Sequence, residues 1–139
     1  MPKQFLDERI SVISQGAAVA ILGTPVLVGD IGLQTVGILP ENTSNVRVIL
    51  NAMIITTALG AASSYRVQIL REDTPLFTAD YLGADLASVN PPSYVVTDFP
   101  PLAQVLTGQV RYTFTIQLTA GAGGTVQGAF FGGVIAAGN

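Results

Sequence analysis

The sequence predicts an all-β protein: a single jelly-roll-like β-sandwich of about eight strands, carrying an extended N-terminal arm. Two observations support this. Stretches of period-two alternation between apolar and polar residues follow one another along most of the 139 residues, separated by short clusters of Gly, Pro, Asn and Asp. No window places its apolar residues at helical spacing for more than a turn or two. A chain of this length buries about two-thirds of its unfolded surface in one core. It therefore folds without staples, in keeping with zero cysteines.

In chain order, Ala17 to Leu22, Pro25 to Gly29 and Leu33 to Leu39 read as three short strands, divided by Gly-Thr-Pro and Gly-Asp. Asn45 to Thr57 is a long strand with Val46, Val48, Leu50, Ala52 and Ile54 on one face. Its other face carries Arg47, Ile49, Asn51, Met53 and Ile55, and a strand apolar on both faces is either central or covered on its outer side. Ser64 to Arg71 alternates Tyr65, Val67 and Ile69 with Arg66 and Gln68. A turn at Glu72-Asp73-Thr74-Pro75 leads into Leu76 to Tyr81, which makes a hairpin.

Ser93 to Phe99, bracketed by Pro91-Pro92 and Pro100-Pro101, fits an edge strand or one that changes sheet. Gln109 to Thr119 alternates strictly, with Val110, Tyr112, Phe114, Ile116 and Leu118 on the buried side. The Gly121-Ala122-Gly123-Gly124 turn precedes a last strand, Thr125 to Ala137. Short helical turns are expected only within Ala79 to Val89 and Leu102 to Leu106. With no internal repeat or linker, residues 16–139 form one domain.

Residues 1–15 differ from the rest. Four of the chain's 15 charges fall in the first nine residues, at Lys3, Asp7, Glu8 and Arg9. A β-prone run, Ile10-Ser11-Val12-Ile13, follows. Extended, fifteen residues reach about 50 Å, against a domain diameter of about 37 Å. The segment is therefore long enough to cross a neighbour and add a strand to it, with Phe5, Ile10, Val12 and Ile13 as the anchoring side chains. A head-to-tail contact of that kind grows fibres. The alternative is that Phe5 to Ser14 is the first strand of the chain's own sandwich.

Charged residues make up 11% of the chain and hydrophobic residues 49%, where an ordinary domain is about 25% charged. Much of the exterior must then be uncharged, and contact with other subunits is the simplest cover for it. Ile49, Met53 and Ile55 are the candidate residues for an apolar outer face closed by a neighbour. The six basic residues are scattered and the net charge is −3, so phosphate neutralisation has little to work with and no nucleic-acid partner is expected. Neither uncharged stretch, Ile10 to Gly29 or Tyr112 to Asn139, is a continuous apolar run of spanning length, so no membrane partner is expected. Asp7 and Glu8 stand where a signal peptide would be basic, and the start reads as native and uncleaved.

Catalytic candidates are few. Without histidine or cysteine there is no imidazole base, no thiolate nucleophile and no common zinc ligand set. The one lysine lies on the arm. Asp73 with Asp80, and Asp85 with Asp98, flank loops and are the candidates for a converging carboxylate pair, but turn residues are the simpler reading. The glycine run at Gly121 lacks the following Lys-Ser or Lys-Thr of a phosphate loop. Asn42-Thr43-Ser44 fits a glycosylation acceptor. Phe77, Tyr81, Tyr94, Phe99, Phe130 and Phe131 are the aromatics free to stack on sugars, and Tyr81 with Tyr94 would make a small platform. The expectation is a non-enzyme with no catalytic residue, cofactor or metal.

Several segments together resemble a known group. These are Asn45-Val46-Arg47-Val48-Ile49-Leu50, Tyr65 to Asp73, Pro91-Pro92, Thr97-Asp98-Phe99-Pro100-Pro101, Arg111-Tyr112-Thr113-Phe114-Thr115 and the glycine-rich last strand. Their order over about two-thirds of the chain is similar to small jelly-roll proteins of the Firmicute spore surface, namely endospore appendage subunits and the knob domains of spore filaments. The resemblance implies a self-assembling coat or appendage protein, made without a signal peptide and released with the spore, with the arm as connector. The collagen-like repeats and cysteine pairs of some relatives are missing. The expected function is thus a structural subunit of an extracellular filament or surface layer, its partner being itself. A viral or phage capsid, decoration or tail protein is the first alternative, and a compact carbohydrate- or protein-binding module the second.

Overall fold

The computed structural model describes residues 3–89 and 91–138. Its elements are β1 (Gln4–Ile13), β2 (Val19–Ala20), β3 (Val26–Gln34), a 3-10 turn (Pro40–Asn42), β4 (Val46–Thr57), β5 (Ser64–Arg71), β6 (Thr74–Leu82), α1 (Gly83–Ser88), β7 (Ser93–Asp98), α2 (Leu102–Val105), β8 (Gln109–Ala120) and β9 (Thr125–Ala137). One sheet runs β1-β9-β4-β7, with β2 also on β9, and the other runs β3-β8-β5-β6.

The antiparallel pairs β1 with β9, β3 with β8, β4 with β7 and β5 with β6 nest inside one another along the chain. They are four rungs of one long hairpin, and successive rungs fall alternately in the two sheets. A ribbon rolled in this way is a jelly roll.

The alternation read in the sequence decides which side of each strand is inward. Leu50 and Ile54 of β4, Tyr65 and Ile69 of β5, Phe114 and Ile116 of β8, and Phe131 and Ile135 of β9 are all fully buried. Each such side chain contributes about 1.5–3 kcal/mol by leaving water. Phe114 and Phe131 stack across the two sheets with ring centroids 5.8 Å apart.

Polar groups inside the sandwich are paired across it. The Tyr65 hydroxyl donates to the Gly123 carbonyl and accepts from the Gly60 N–H, both at 2.9 Å, which ties the β4–β5 loop to the β8–β9 turn. Asp98 of β7 accepts from the Arg71 guanidinium and from the Tyr112 hydroxyl, so one carboxylate joins the two sheets. Burial, and then the hydrogen bond to Asp98, push the Tyr112 hydroxyl well above its ordinary value.

The structure departs from the sequence reading in several places. Pro25 to Gly29 and Leu33 to Leu39 are not two strands. They merge into β3, which ends at Gln34 and carries a bulge between Leu27 and Gly29. Gly29 does not break the strand there because it marks a close approach. A Cβ on it would lie 2.4 Å from the Cβ of Phe131. Of Ala17 to Leu22, only Val19–Ala20 pairs.

The β5–β6 turn is tighter than expected, with Arg71 opposite Thr74 and Glu72 at φ 49°. Pro75 lies inside β6, which tolerates it as an edge strand. Asn42 is fully buried, which closes the glycosylation pattern in the folded chain.

Residues 3–15 do not stand apart in the single chain. Gln4–Ile13 pairs with β9 from Ala137 back to Ala129, so the sheet begins well before residue 16. A bulge between Phe5 and Asp7 lets Leu6 reach the core while Asp7 turns toward β3.

Candidate functional site

β1, β9, β4 and β7 share one sheet, and their registers place the outward side chains in rows. Phe5, Ala136 and Arg47 form the first row. Glu8, Val134, Ile49 and Thr97 form the second, and Ile10, Gly132, Asn51 and Val95 the third. Val12, Phe130, Met53 and Ser93 follow, then Gly128 and Ile55. On β4 and β9 the residues between them are the buried ones, as strand alternation requires, while on the outer strands β1 and β7 most are only half-buried and Arg9 is exposed. The outer surface of the sheet is therefore mainly apolar, with Val95 70% and Ile10 59% exposed. Glu8 and Arg47 are the charged members of these rows.

The two residue sets singled out in the sequence meet here. Phe5, Ile10 and Val12 on β1 lie on the same surface as Ile49, Met53 and Ile55 on β4, with β9 between them. Ile13 is the exception. It pairs with the buried Ala129 and packs against the core. Sequence reasoning missed the central column, Phe130, Gly132 and Val134. Its signal was the irregular alternation of the last strand, where glycines on both parities mask which side is inward. A shallow hollow of about 140 Å³ lies at mid-sheet, bordered by Glu8, Ile10, Asn51, Phe130 and Val134, and the Phe130 ring leans over Gly132, 3.1 Å from where a Cβ would stand.

The outer surface of the other sheet is mainly polar, with Leu27 and Leu82 as exposed apolar members, and its charges pair within it. Arg111 on β8 donates to both carboxylate oxygens of Asp30 on β3, at 2.9 and 2.8 Å. Arg66 on β5 does the same to Asp80 on β6, at 2.8 and 3.3 Å, and the Gln68 side chain donates to Thr78 at 3.1 Å. The Arg111 guanidinium is the main cause that holds the Asp30 carboxyl below its ordinary value.

Between β1 and β3, where the two sheets meet at an edge, side chains of β1 cap backbone groups of β3 and the loop after it. Asp7 accepts from the Gln34 N–H at 2.9 Å, Ser11 from the Asp30 N–H at 3.3 Å, and the Gln4 side chain from the Leu39 N–H at 3.0 Å. Partial burial raises the Asp7 carboxyl, but the Gln34 N–H and the Arg9 guanidinium outweigh it and leave the group below its ordinary value.

A second apolar patch lies at the end of the sandwich where β3 and β7 finish and β4 and β8 begin. Val36, Phe99 and Leu106 are 74%, 70% and 65% exposed there, beside Leu102. Their loops are joined by the Thr35 hydroxyl donating to the Val105 carbonyl at 2.6 Å and the Thr35 N–H to the Gly108 carbonyl at 2.9 Å.

The other candidates do not assemble into a site. Tyr81 and Tyr94 bond to each other at 2.8 Å, and Tyr94 packs on Phe77 and Phe114 inside the sandwich, so they offer no sugar platform. Phe131 is core. Asp80 and Asp98 are engaged by arginines. Among the described residues no cluster of three or more His, Cys, Asp or Glu is placed to hold a metal. No described helix is long and apolar enough to cross a membrane.

No family model matches the chain, and no curated protein matches it. Solved structures resemble it in fold. Dimeric latent PorU from Porphyromonas gingivalis aligns over 94% of this chain at 8% identity and TM-score 0.47. The chain spans only 13% of PorU's length. The vertex protein P5 of PRD1 aligns over 96% of both chains at 11% identity and TM-score 0.48. The capsid of Helicobacter pylori bacteriophage KHP30 aligns over 98% of this chain and 91% of its own, at 11% identity and TM-score 0.43. The jelly-roll assignment itself rests on the strand order.

Proposed function

We propose that this chain is a non-enzymatic structural building block that assembles with copies of itself into an extended filament or surface layer. The observation that carries this reading is the pair of separate apolar patches, one across a whole sheet and one at an end of the sandwich. A single patch supports a closed oligomer. Two patches pointing in different directions support continued growth. An exterior with so few charges resists association weakly, which suits a subunit whose surface is shared.

β1 is used within its own sheet, and its side chains cap the neighbouring edge. The contact proposed is therefore made by surfaces, without exchange of a strand. The resemblance to spore-surface jelly rolls supports a spore or cell exterior as the setting, with a virion as the alternative.

Negative-stain microscopy and sedimentation of the full chain across a concentration series test the reading. Fibres, sheets or a size distribution that grows with concentration are expected. A monomer at every concentration overturns it.

A further inference from the structure

The geometry points to a specific first step: a second copy of this chain seats on the outer surface of β1-β9-β4-β7, sheet against sheet, centred on the Gly132 hollow. This inference rests on the building-block reading and adds which patch pairs first, and with what.

Two features select another copy as the occupant. The first is area. Strands spaced about 4.8 Å apart and about 34 Å long give about 500 Å² over the three that face one another, β1, β9 and β4. A pair then buries about 1,000 Å², the size at which a specific interface begins.

The second is charge. Glu8 lies on β1 and Arg47 on β4, flanking an uncharged β9. A two-fold axis along β9 lays the β1 column of one copy over the β4 column of the other. Glu8 then lies one row along the strands, about 7 Å, and one sheet-to-sheet gap of about 10 Å from Arg47 of the second copy, whose guanidinium also donates to its own Gly138 carbonyl. Both chains are long enough to close that gap, and the two symmetric pairs fix the register.

Sedimentation velocity of the full chain, with circular dichroism to verify folding, tests this. Ile10→Glu with Ile49→Glu places charge on two positions that are exposed in the single chain. We expect the pair to dissociate, its midpoint concentration rising at least about 30-fold. The same charges on the opposite sheet, Gln68→Glu with Thr115→Glu, should leave pairing unchanged. Phe99→Glu with Leu106→Glu at the sandwich end should stop growth but leave the pair intact.

A folded Ile10→Glu, Ile49→Glu chain that pairs like the wild type overturns the inference, even where larger assemblies persist and the building-block reading stands. A wild type that never leaves the monomer overturns that reading itself. As a second, milder probe, Glu8→Arg should weaken pairing and Arg47→Glu in the same chain should restore it. Failure to restore it overturns the register.

Discussion

The two outer surfaces of the sandwich enclose the same core and differ in almost everything else. On β8, the outward positions are Arg111, Thr113, Thr115 and Gln117, and the arginine finds its carboxylate on the adjacent strand. On β4, the outward positions include Ile49, Met53 and Ile55, and the rows continue onto apolar neighbours on β1, β9 and β7. One sheet has finished its hydrogen bonding and ion pairing by itself. The other leaves apolar surface to water, which the hydrophobic effect penalises until something covers it. On the building-block reading proposed above, contact between copies would use the apolar sheet surface and not the polar one.

That division can be broken most severely between the surfaces. Asp98 is buried with Arg71 and Tyr112 and joins β7 to the other sheet. Asp98→Ala leaves an arginine charge uncompensated in the interior and should cost about 3–5 kcal/mol in urea unfolding. A loss below 1 kcal/mol would mean that the sheets are held by apolar packing alone.

The next effect lies at the edge where the two surfaces meet. Asp7→Ala leaves the Gln34 N–H without its acceptor and should cost about 1 kcal/mol. Asp7 and Asp30 are both held below the ordinary carboxyl value. Their contribution is complete above about pH 4 and disappears as pH falls through their lowered folded values. Acid titration of Asp7→Ala should therefore show a shallower loss of stability below pH 4 than the wild type; identical titrations would remove Asp7 from the account.

The smallest effects on folding should come from the surfaces themselves, and they sharpen the contrast. Asp30→Asn opens a solvent-exposed ion pair and should shift dispersed-chain stability by less than about 0.5 kcal/mol. Ile49→Thr, half-exposed on the other sheet, should shift it about as little. Yet Ile49→Thr alone should reduce binding of an apolar dye and lower the concentration dependence of the melting temperature. Equal dye binding by both variants would erase the distinction between the surfaces.

Much of this was legible in the residues because strand alternation is a local property. The inward faces of β4, β5 and β8 follow from period two, and Tyr65, Tyr112 and Phe114 lie where that period puts them. Glycine misled twice. Gly29 looked like a break and is a point of close packing, while the glycines of the last strand hid which of its sides faces inward. Tyr81 and Tyr94 looked free because an edge strand's inward side cannot be distinguished from its outward side without knowing what lies across from it.

The sequence by itself determined an all-β chain, the inner faces of β4, β5 and β8, an exterior with few charges and an apolar second side to β4. Each of these depends on residues only a few positions apart. Tertiary structure decided which strands lie beside which. It put β9 between β1 and β4, although more than a hundred residues separate the first strand from the last. Phe5, Ile10 and Val12 joined Ile49, Met53 and Ile55 only through that pairing, because register across non-neighbouring strands is set by the packing of the whole core and leaves no local mark.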